Sequence, residues 1–97
     1  MKVYTVERMD KCDYVFSVQI RKGGCYSDKK KALERAKKMY KRMCREYEDE
    51  ILRYFDNLKG TLEVDEDHEN GYYRISFGFE EDYEVHSVAV EEWEMEE

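Results

Sequence analysis

The sequence predicts an α+β fold in the order β-β-α-β-β-β, with one long amphipathic helix packed on one face of an antiparallel sheet. Strand-like alternation of apolar and polar residues occupies both ends of the chain, and a helical pattern without Gly or Pro occupies the middle. Packing the helix on the sheet is the simplest way to bury both apolar surfaces. The 97 residues suffice for one domain, residues 1–97, with a single core.

The N-terminal part of the chain is predicted to form a β-hairpin. Residues 2–9 form its first strand and residues 12–21 its second, joined by a tight turn at residues 9–11. Gly23 and Gly24 end the second strand, because glycine adopts backbone angles closed to other residues. Alternation in the second strand places its apolar residues on one common face: Cys12, Tyr14, Phe16, Val18 and Ile20.

The helix is predicted to run from Ser27 to about Leu58. Ser27 is its expected N-cap, with Asp28 in the first turn, where a carboxylate favours the helix dipole. Three acids at residues 48–50 weaken the apolar stripe, so a break there is the alternative to one continuous helix of about 45 Å. The apolar residues recur every three or four positions: Ala32, Leu33, Ala36, Met39, Tyr40, Met43, Cys44, Tyr47, Ile51, Tyr54, Phe55 and Leu58.

The C-terminal part of the chain contains three predicted strands, at residues 61–65, 72–80 and 83–95. Asn-Gly at residues 70–71 indicates a hairpin turn, because it tolerates the positive φ angles of a type I′ turn. Strict alternation cannot direct all apolar residues of the last strand inward, so we expect a bulge near Ser87. The expected core contacts of that strand are Val85, Val88, Val90 and Trp93.

Charge is distributed very unevenly along the chain. Residues 1–45 carry 14 Lys/Arg and 5 Asp/Glu, a formal +9, whereas residues 46–97 carry 3 and 19, a formal −16. The net charge of the whole chain is −7. Such asymmetry indicates a charged partner, either a polyanion or a protein that normally binds one, and it identifies no reaction.

The predicted helix presents a charged line opposite its apolar stripe. This line begins basic and ends acidic, the reverse of what the helix dipole favours. The ion pairs Arg42–Glu46 and Arg45–Asp49 are expected to offset this order in part. Three roles are consistent with this charged line: a solvated helix face, a contact for phosphates, or a docking site for an acidic protein. Its basic members are Lys31, Lys38, Arg42 and Arg45.

The second half of the chain contains acidic clusters at residues 65–67, 80–84 and 91–97. Carboxylates two residues apart on a strand lie about 6.6–7 Å apart, close to the spacing of successive phosphates. Such a strand imitates a nucleic acid and occupies the groove that binds it; the alternative is that the acids keep an exposed sheet soluble and unpaired. The residues expected to contact a partner are Glu80, Glu81, Asp82, Glu84, Glu91, Glu92 and Glu94.

Motifs for catalysis or metal binding have little support in the sequence. Residues 65–69 resemble a calcium loop, but Ser76 stands where such a loop requires a bidentate Glu. His68 and His86 lack zinc-binding spacing, and His86 beside Glu84 is a neighbour pair that is common in strands. We therefore predict no catalytic residue, no metal site and no cofactor.

The expected compartment follows from what the sequence lacks. No stretch approaches the ~20 apolar residues that a membrane span needs, and the N-terminus has no apolar signal-peptide region. The three cysteines are odd in number and form no C-x-x-C pair, which indicates a reducing environment. A cytoplasmic protein without membrane contact is expected.

The first 40 residues also carry a resemblance. The opening KVYTVE, the second strand ending in glycine, and Tyr26, Ser27, Ala32 and Ala36 together resemble a group of small phage and bacterial proteins. These begin with a strand hairpin followed by a Y-S-x4-A-x3-A helix start, and most have no assigned activity. The short, acidic, Tyr-rich chain is also similar in character to anti-CRISPR and other anti-defence proteins. That similarity implies binding to a host nucleoprotein and blocking of its nucleic-acid site.

Three functions are consistent with the sequence. The leading hypothesis is a non-enzymatic inhibitor from a phage or other mobile element, which binds a host nucleic-acid-handling protein through the acidic residues named above. The second is direct nucleic-acid binding through the basic helix residues. The third is a homo-oligomer in which the basic helix of one copy meets the acidic sheet of the next.

Overall fold

The computed structural model describes residues 1–12, 17–49, 62–69, 72–79 and 84–96. These residues form a small α+β fold with an antiparallel sheet, as the sequence predicts. The elements are β1 (Lys2–Cys12), β2 (Ser17–Tyr26), α1 (Lys29–Glu46), β3 (Leu62–Glu69), β4 (Tyr72–Phe79) and β5 (Glu84–Glu94).

The five strands of the described residues form one sheet in the order β2-β1-β5-β4-β3. β1 and β5 lie at its centre and pair along their whole length, from Lys2 opposite Glu94 to Cys12 opposite Glu84. α1 packs across β1, β2 and β5 on one face of the sheet. The central position of the first and last strands therefore ties the two ends of the chain together beneath the helix.

The predicted turn at residues 9–11 is wrong, because these residues lie inside β1 and pair with both β2 and β5. β1 continues to Cys12, which pairs with Ser17 of β2. The sequence predicted a turn at Asp10 because a charged side chain is unfavourable inside a sheet. In the fold, hydrogen bonds from the Arg8 guanidinium satisfy that charge.

Val18 and Ile20 lie on the sheet face away from α1. Their partners in β1 alternate with the residues of β1 that contact the helix, and directly opposite residues share a face. Both side chains are more than half exposed, at 54% and 57%. The predicted common face with Cys12 is wrong, because Cys12 follows Lys11, the β1 partner of Val18, and adjacent residues of a strand lie on opposite faces. Tyr14 and Phe16 fall outside the described residues.

Gly23 and Gly24 do not end the second strand, which continues to Tyr26. They form a β-bulge, where the register against β1 shifts just after Val6. Gly24 has a φ of 111°, which strongly favours glycine. A Cβ at Gly23 would overlap the Met39 sulfur of α1. The glycine pair therefore lets the helix approach the sheet closely.

Asp28, and not the predicted Ser27, is the N-cap of α1. The backbone N–H of Lys30 donates to Asp28 Oδ1 at 2.9 Å, and Asp caps a helix as well as Ser does. α1 has 18 residues and its C-cap is Tyr47. Because α1 ends at Glu46, the prediction of one continuous helix is wrong, and the described residues show the alternative, a break close to the three acids at residues 48–50. The predicted continuation as far as Leu58 lies outside the described residues beyond position 49.

The hydrophobic core lies between α1 and the middle of the sheet. Ala32 and Ala36 are fully buried, so the helix backbone lies close to the strands. Phe77 fills the space beside them and contacts Tyr40 and Tyr47 edge to face, with ring centroids 6.2 and 6.1 Å apart. The buried core residues are Val6, Ala32, Ala36, Met43, Tyr73, Phe77, Val88 and Val90.

The side chains of β5 alternate between the two faces of the sheet along the whole strand. Its pairing with β1 and with β4 runs without a register shift, so the bulge predicted near Ser87 is wrong. Val88 and Val90 are buried under α1. Val85 is half-buried on the other face and Trp93 is 51% exposed, so neither is the core contact that we predicted.

The last hairpin pairs β3 with β4. Glu69 lies opposite Tyr72, and these two residues flank the predicted Asn-Gly turn, which itself lies outside the described residues. β3 extends from Leu62 to Glu69 and is therefore longer than the strand predicted at residues 61–65. This extension carries the first acidic cluster onto a strand at the sheet edge.

Candidate functional site

Cations line a groove of about 270 Å³ along the solvent side of α1. The half-buried Met39 is the one apolar residue among the described residues that line it. Side chains three and four residues apart are neighbours on a helix surface, which is why these cations form a row. The lining residues are Arg35, Lys38, Met39, Lys41, Arg42 and Arg45.

A second groove, of about 200 Å³, lies between α1 and β2. It shares Arg35, Met39 and Arg42 with the first groove, so the two are continuous. It adds Arg21 and Lys22 from the outer strand of the sheet and the buried Arg8 of β1. We use the term basic surface for the seven exposed or half-exposed cations of both grooves: Arg21, Lys22, Arg35, Lys38, Lys41, Arg42 and Arg45.

The basic surface has little neutralising charge of its own. None of the described acidic side chains lines either groove. Lys22 lies 2.9 Å from Glu7, an exposed ion pair that contributes little to stability. For the other six cations, the described part of the chain supplies no ion pair within 4 Å. Six positive charges are therefore available to an external anion.

Glu46 explains why the expected neutralisation within the helix does not occur. Its carboxylate accepts a hydrogen bond from Arg8 Nη2 at 2.7 Å, so it turns toward the sheet. That hydrogen bond holds the pKa of Glu46 below its usual range. The predicted Arg42–Glu46 and Arg45–Asp49 ion pairs are absent from the ion pairs of the described residues.

The structure brings together three of the four basic residues predicted from the sequence. Lys38, Arg42 and Arg45 line the groove, whereas Lys31 is exposed nearer the helix start and lines neither groove. A helical wheel places Arg35 almost in line with Arg42, seven residues later, so the sequence alone could have identified Arg35. It could not have identified Arg21 and Lys22 of β2, because their position depends on strand pairing. The residues missed are Arg21, Lys22, Arg35 and Lys41.

The acidic residues predicted on β5 mostly contact groups of the same chain. Glu92 accepts a hydrogen bond from the Tyr4 hydroxyl at 3.1 Å and lies 3.7 Å from Lys2 Nζ. Glu94 lies 3.2 Å from the amino terminus. Glu91 is half-buried on the opposite face of the sheet. Three members of the predicted acidic set lie outside the described residues: Glu80, Glu81 and Asp82.

A network of charged groups joins α1 to the centre of the sheet. Arg8 Nε donates to Asp10 Oδ2 at 2.9 Å, and its Nη2 donates to Glu46 of the helix. Asp10 Oδ1 lies 2.6 Å from His86 Nδ1, and His86 Nε2 lies 3.3 Å from Glu84 Oε2. Burial acts to raise the pKa of Asp10, but the hydrogen bonds from Arg8 and His86 outweigh it and hold that pKa below its usual range.

We assign this network a structural role. Both ring nitrogens of His86 face carboxylates, whereas a general base needs a ring nitrogen directed at a substrate. The ring also packs against Tyr47 and Phe77, with centroids 4.1 and 5.2 Å away. Glu84 and His86 lie close together on β5, as predicted. The network as a whole connects β5 to β1 through Asp10, and β1 to α1 through Arg8 and Glu46.

Two further observations concern metals and membranes. In the part of the chain that the structure describes, no group of three or more His, Cys, Asp or Glu side chains is placed to hold a metal ion. Cys25 and Cys44 are free thiols. Among the described residues, no helix is both long and apolar enough to cross a membrane.

No protein-family model matches the chain, and no curated protein or solved structure matches it either. The resemblance to small phage proteins and to anti-defence proteins therefore stays a prediction from the sequence.

Proposed function

We propose that this chain is a non-catalytic binding protein whose basic surface contacts the phosphate backbone of a nucleic acid. One observation carries the proposal: seven cations surround two continuous grooves that no described acidic side chain lines. Phosphate contacts by Lys and Arg supply most of the affinity of non-specific nucleic-acid binding. The arrangement therefore suits a chain of phosphates better than a single small anion.

The dimensions of the basic surface support a nucleic-acid strand as its ligand. Arg35 and Arg45 mark the ends of the row on α1, and ten residues of helix span about 15 Å. Successive phosphates of one strand lie about 6.6–7 Å apart, so the row covers about three phosphates. Arg21 and Lys22 widen the surface beyond the helix onto β2.

The composition of the grooves predicts binding without sequence preference. Among the described lining residues there is no aromatic side chain on which a base could stack. Met39 lies at the floor and offers no hydrogen bond donor to base edges. The Arg and Lys side chains are the hydrogen-bond donors among the described lining residues, and in contacts with phosphates they position the ligand without reading its sequence.

The negative net charge of the chain does not prevent this binding. The acidic strand β3 lies at the opposite edge of the sheet, four strand spacings or about 19 Å from β2. At an ionic strength of about 0.1 M the Debye length is about 10 Å, so salt screens the acidic strand from the basic surface. The local charge therefore determines the contact.

The acidic inhibitor predicted from the sequence is the weaker proposal for the described residues. Glu84, Glu92 and Glu94 each contact a basic or hydrogen-bond-donating group of the same chain. A basic partner would have to displace those contacts before it bound. The basic surface requires no such displacement except at Lys22.

Fluorescence anisotropy with a labelled duplex tests the proposal. We expect a dissociation constant between about 10⁻⁴ and 10⁻⁶ M near physiological salt, the range of non-specific binding. If about three phosphates are neutralised, the slope of log affinity against log salt is about −2.7. The double variant Arg35→Glu, Arg42→Glu should weaken binding about tenfold or more and make the slope less steep by about 2.

The matched control is Lys29→Glu with Lys37→Glu, two exposed helix residues that line neither groove. Both double variants have the same net charge, so a difference between them reports position and not total charge. We expect the control to retain most of the affinity. Equal losses in the two variants, or no binding by the folded wild type near physiological salt, would overturn the proposal.

A further inference from the structure

The two edges of the sheet differ sharply in charge. β2 and β3 are its outer strands, and within the described residues each pairs with a neighbour on one side only. β2 contains two cations and no acid. β3 contains five acids among its eight residues: Glu63, Asp65, Glu66, Asp67 and Glu69.

The edge formed by β2 also exposes apolar surface. Val18 and Ile20 are more than half exposed on the same strand as Arg21 and Lys22. Exposed β-branched residues on an outer strand favour pairing with another strand, because the backbone N–H and C=O groups on that side are unpaired. A partner for this edge must therefore supply both a strand and negative charge.

We propose that the acidic edge of a second copy of this chain is that partner, with β3 of one copy pairing alongside β2 of the next. An extended segment added to an open edge gains backbone hydrogen bonds, and its side chains determine selectivity. The contact joins two different surfaces, so it is head-to-tail and builds a ring or an open chain of copies. This interface differs from the homo-oligomer predicted from the sequence, because the basic side of the contact is the strand β2 and not the helix.

Opposite charge at the edges competes with repulsion between copies that each carry −7. Charges across the interface lie within a few ångströms, whereas most others lie farther apart than the Debye length of about 10 Å at 0.1 M salt. Salt at about 0.1 M therefore weakens the repulsion between the two copies more than it weakens the attraction between their edges. At about 1 M the Debye length falls to about 3 Å and the contact weakens as well.

The assembly uses Arg21 and Lys22, which also belong to the basic surface. The contact between β2 and β3 involves no nucleic acid, so self-association does not depend on the proposed nucleic-acid binding and is measured in its absence. If both proposals hold, added duplex competes for these residues and dissociates the assembly. If only self-association holds, added duplex leaves the assembly unchanged.

Sedimentation velocity of the purified chain at about 0.1 M salt is the direct test, because that salt leaves the edge contact unscreened. We expect the average mass to rise above the monomer with protein concentration and to return to the monomer at about 1 M salt. The variant Arg21→Glu, Lys22→Glu should stay monomeric. Lys29→Glu, Lys37→Glu has the same net charge away from the edge and should still associate.

A charge exchange makes the test specific to the two edges. The triple variant Glu63→Lys, Asp65→Lys, Asp67→Lys should also be monomeric, since its β3 then carries three lysines against two acids and repels β2. Mixing it with Arg21→Glu, Lys22→Glu restores opposite charge between copies, so the mixture should associate although neither variant does alone. Circular dichroism verifies that each variant is folded. A monomeric wild type at every concentration, or a mixture of folded variants that stays monomeric, would overturn the inference.

Discussion

Arg8 connects the helix to the sheet through charge. It is only 3% exposed, and its guanidinium contacts Asp10 of its own strand and Glu46 of α1. An unpaired buried guanidinium is strongly unfavourable, and the two carboxylates offset that cost. His86 then holds the second oxygen of Asp10 from β5. These contacts hold the C-terminal end of α1 over β1 and β5.

The substitution Asp10→Asn should destabilise the fold in a pH-dependent way. The pKa of Asp10 is lowered in the folded state, so its carboxylate stabilises the fold above the unfolded pKa of about 3.9. That contribution is lost as the pH falls through the folded pKa. Removing one partner of a buried pair costs about 3 kcal/mol, so we expect a difference of that size at about pH 7.

Urea unfolding of the wild type and the variant measures this difference across the pH range. The two stabilities should converge as the pH falls through the folded pKa of Asp10, because protonated Asp10 resembles Asn. The exposed Glu7 of the same strand provides the control, and Glu7→Gln should change stability by less than about 1 kcal/mol. A difference for Asp10→Asn that is constant with pH would contradict the assigned role.

The sequence could not predict this residue-level network. Arg8 and Asp10 are neighbours on one strand, but His86 is 76 residues from Asp10 along the chain. Their contact requires β1 and β5 to be adjacent, and strand order is set by packing that no local pattern records. For the same reason a carboxylate inside a strand was interpreted as a turn.

At the scale of elements, the glycine bulge of β2 sets how closely α1 lies on the sheet. Gly23 faces the Met39 sulfur, and its absent side chain leaves room for that contact. Val6 lies on the other side, with its Cγ1 3.0 Å from where a Cβ would be. The position of Met39, and with it the floor of both grooves, therefore depends on a glycine in the neighbouring strand.

A double-mutant cycle tests this dependence. Gly23→Ala alone should destabilise the fold by about 1–3 kcal/mol, since overpacking displaces neighbours. Met39→Ala removes the atom that the new methyl group would meet. In the double variant, we expect the combined cost to be smaller than the sum of the single costs by about 1 kcal/mol or more. Additive costs, within about 0.5 kcal/mol, would show that the two residues do not oppose each other.

The elements show where pattern reasoning succeeds and where it fails. Residue type and period predicted the α+β class, because alternation and helical spacing are local properties. The end of β2 was misplaced because a glycine pair serves equally as a strand end or a bulge. The candidate site was found in part, since Lys38, Arg42 and Arg45 follow from the helix alone, whereas Arg21 and Lys22 do not.

At the scale of the whole molecule, the fold converts a charge split along the sequence into a charge split across the sheet. The basic half forms β1, β2 and α1, and β2 is at one edge with the cations of the helix beside it. The acidic half supplies β3 at the opposite edge. Because β1 pairs with β5 in the centre, the two charged regions are held apart. This separation underlies both the proposed nucleic-acid contact and the proposed assembly.

The most direct test of the nucleic-acid contact is a titration of the isotope-labelled chain with a short duplex, followed by NMR chemical shifts at about 0.1 M salt, where the acidic edge is screened. The account predicts saturable shifts concentrated at residues 21–22 and 35–45, with little change in β5. Shifts concentrated at residues 91–94, or no saturable shift at all, would contradict it.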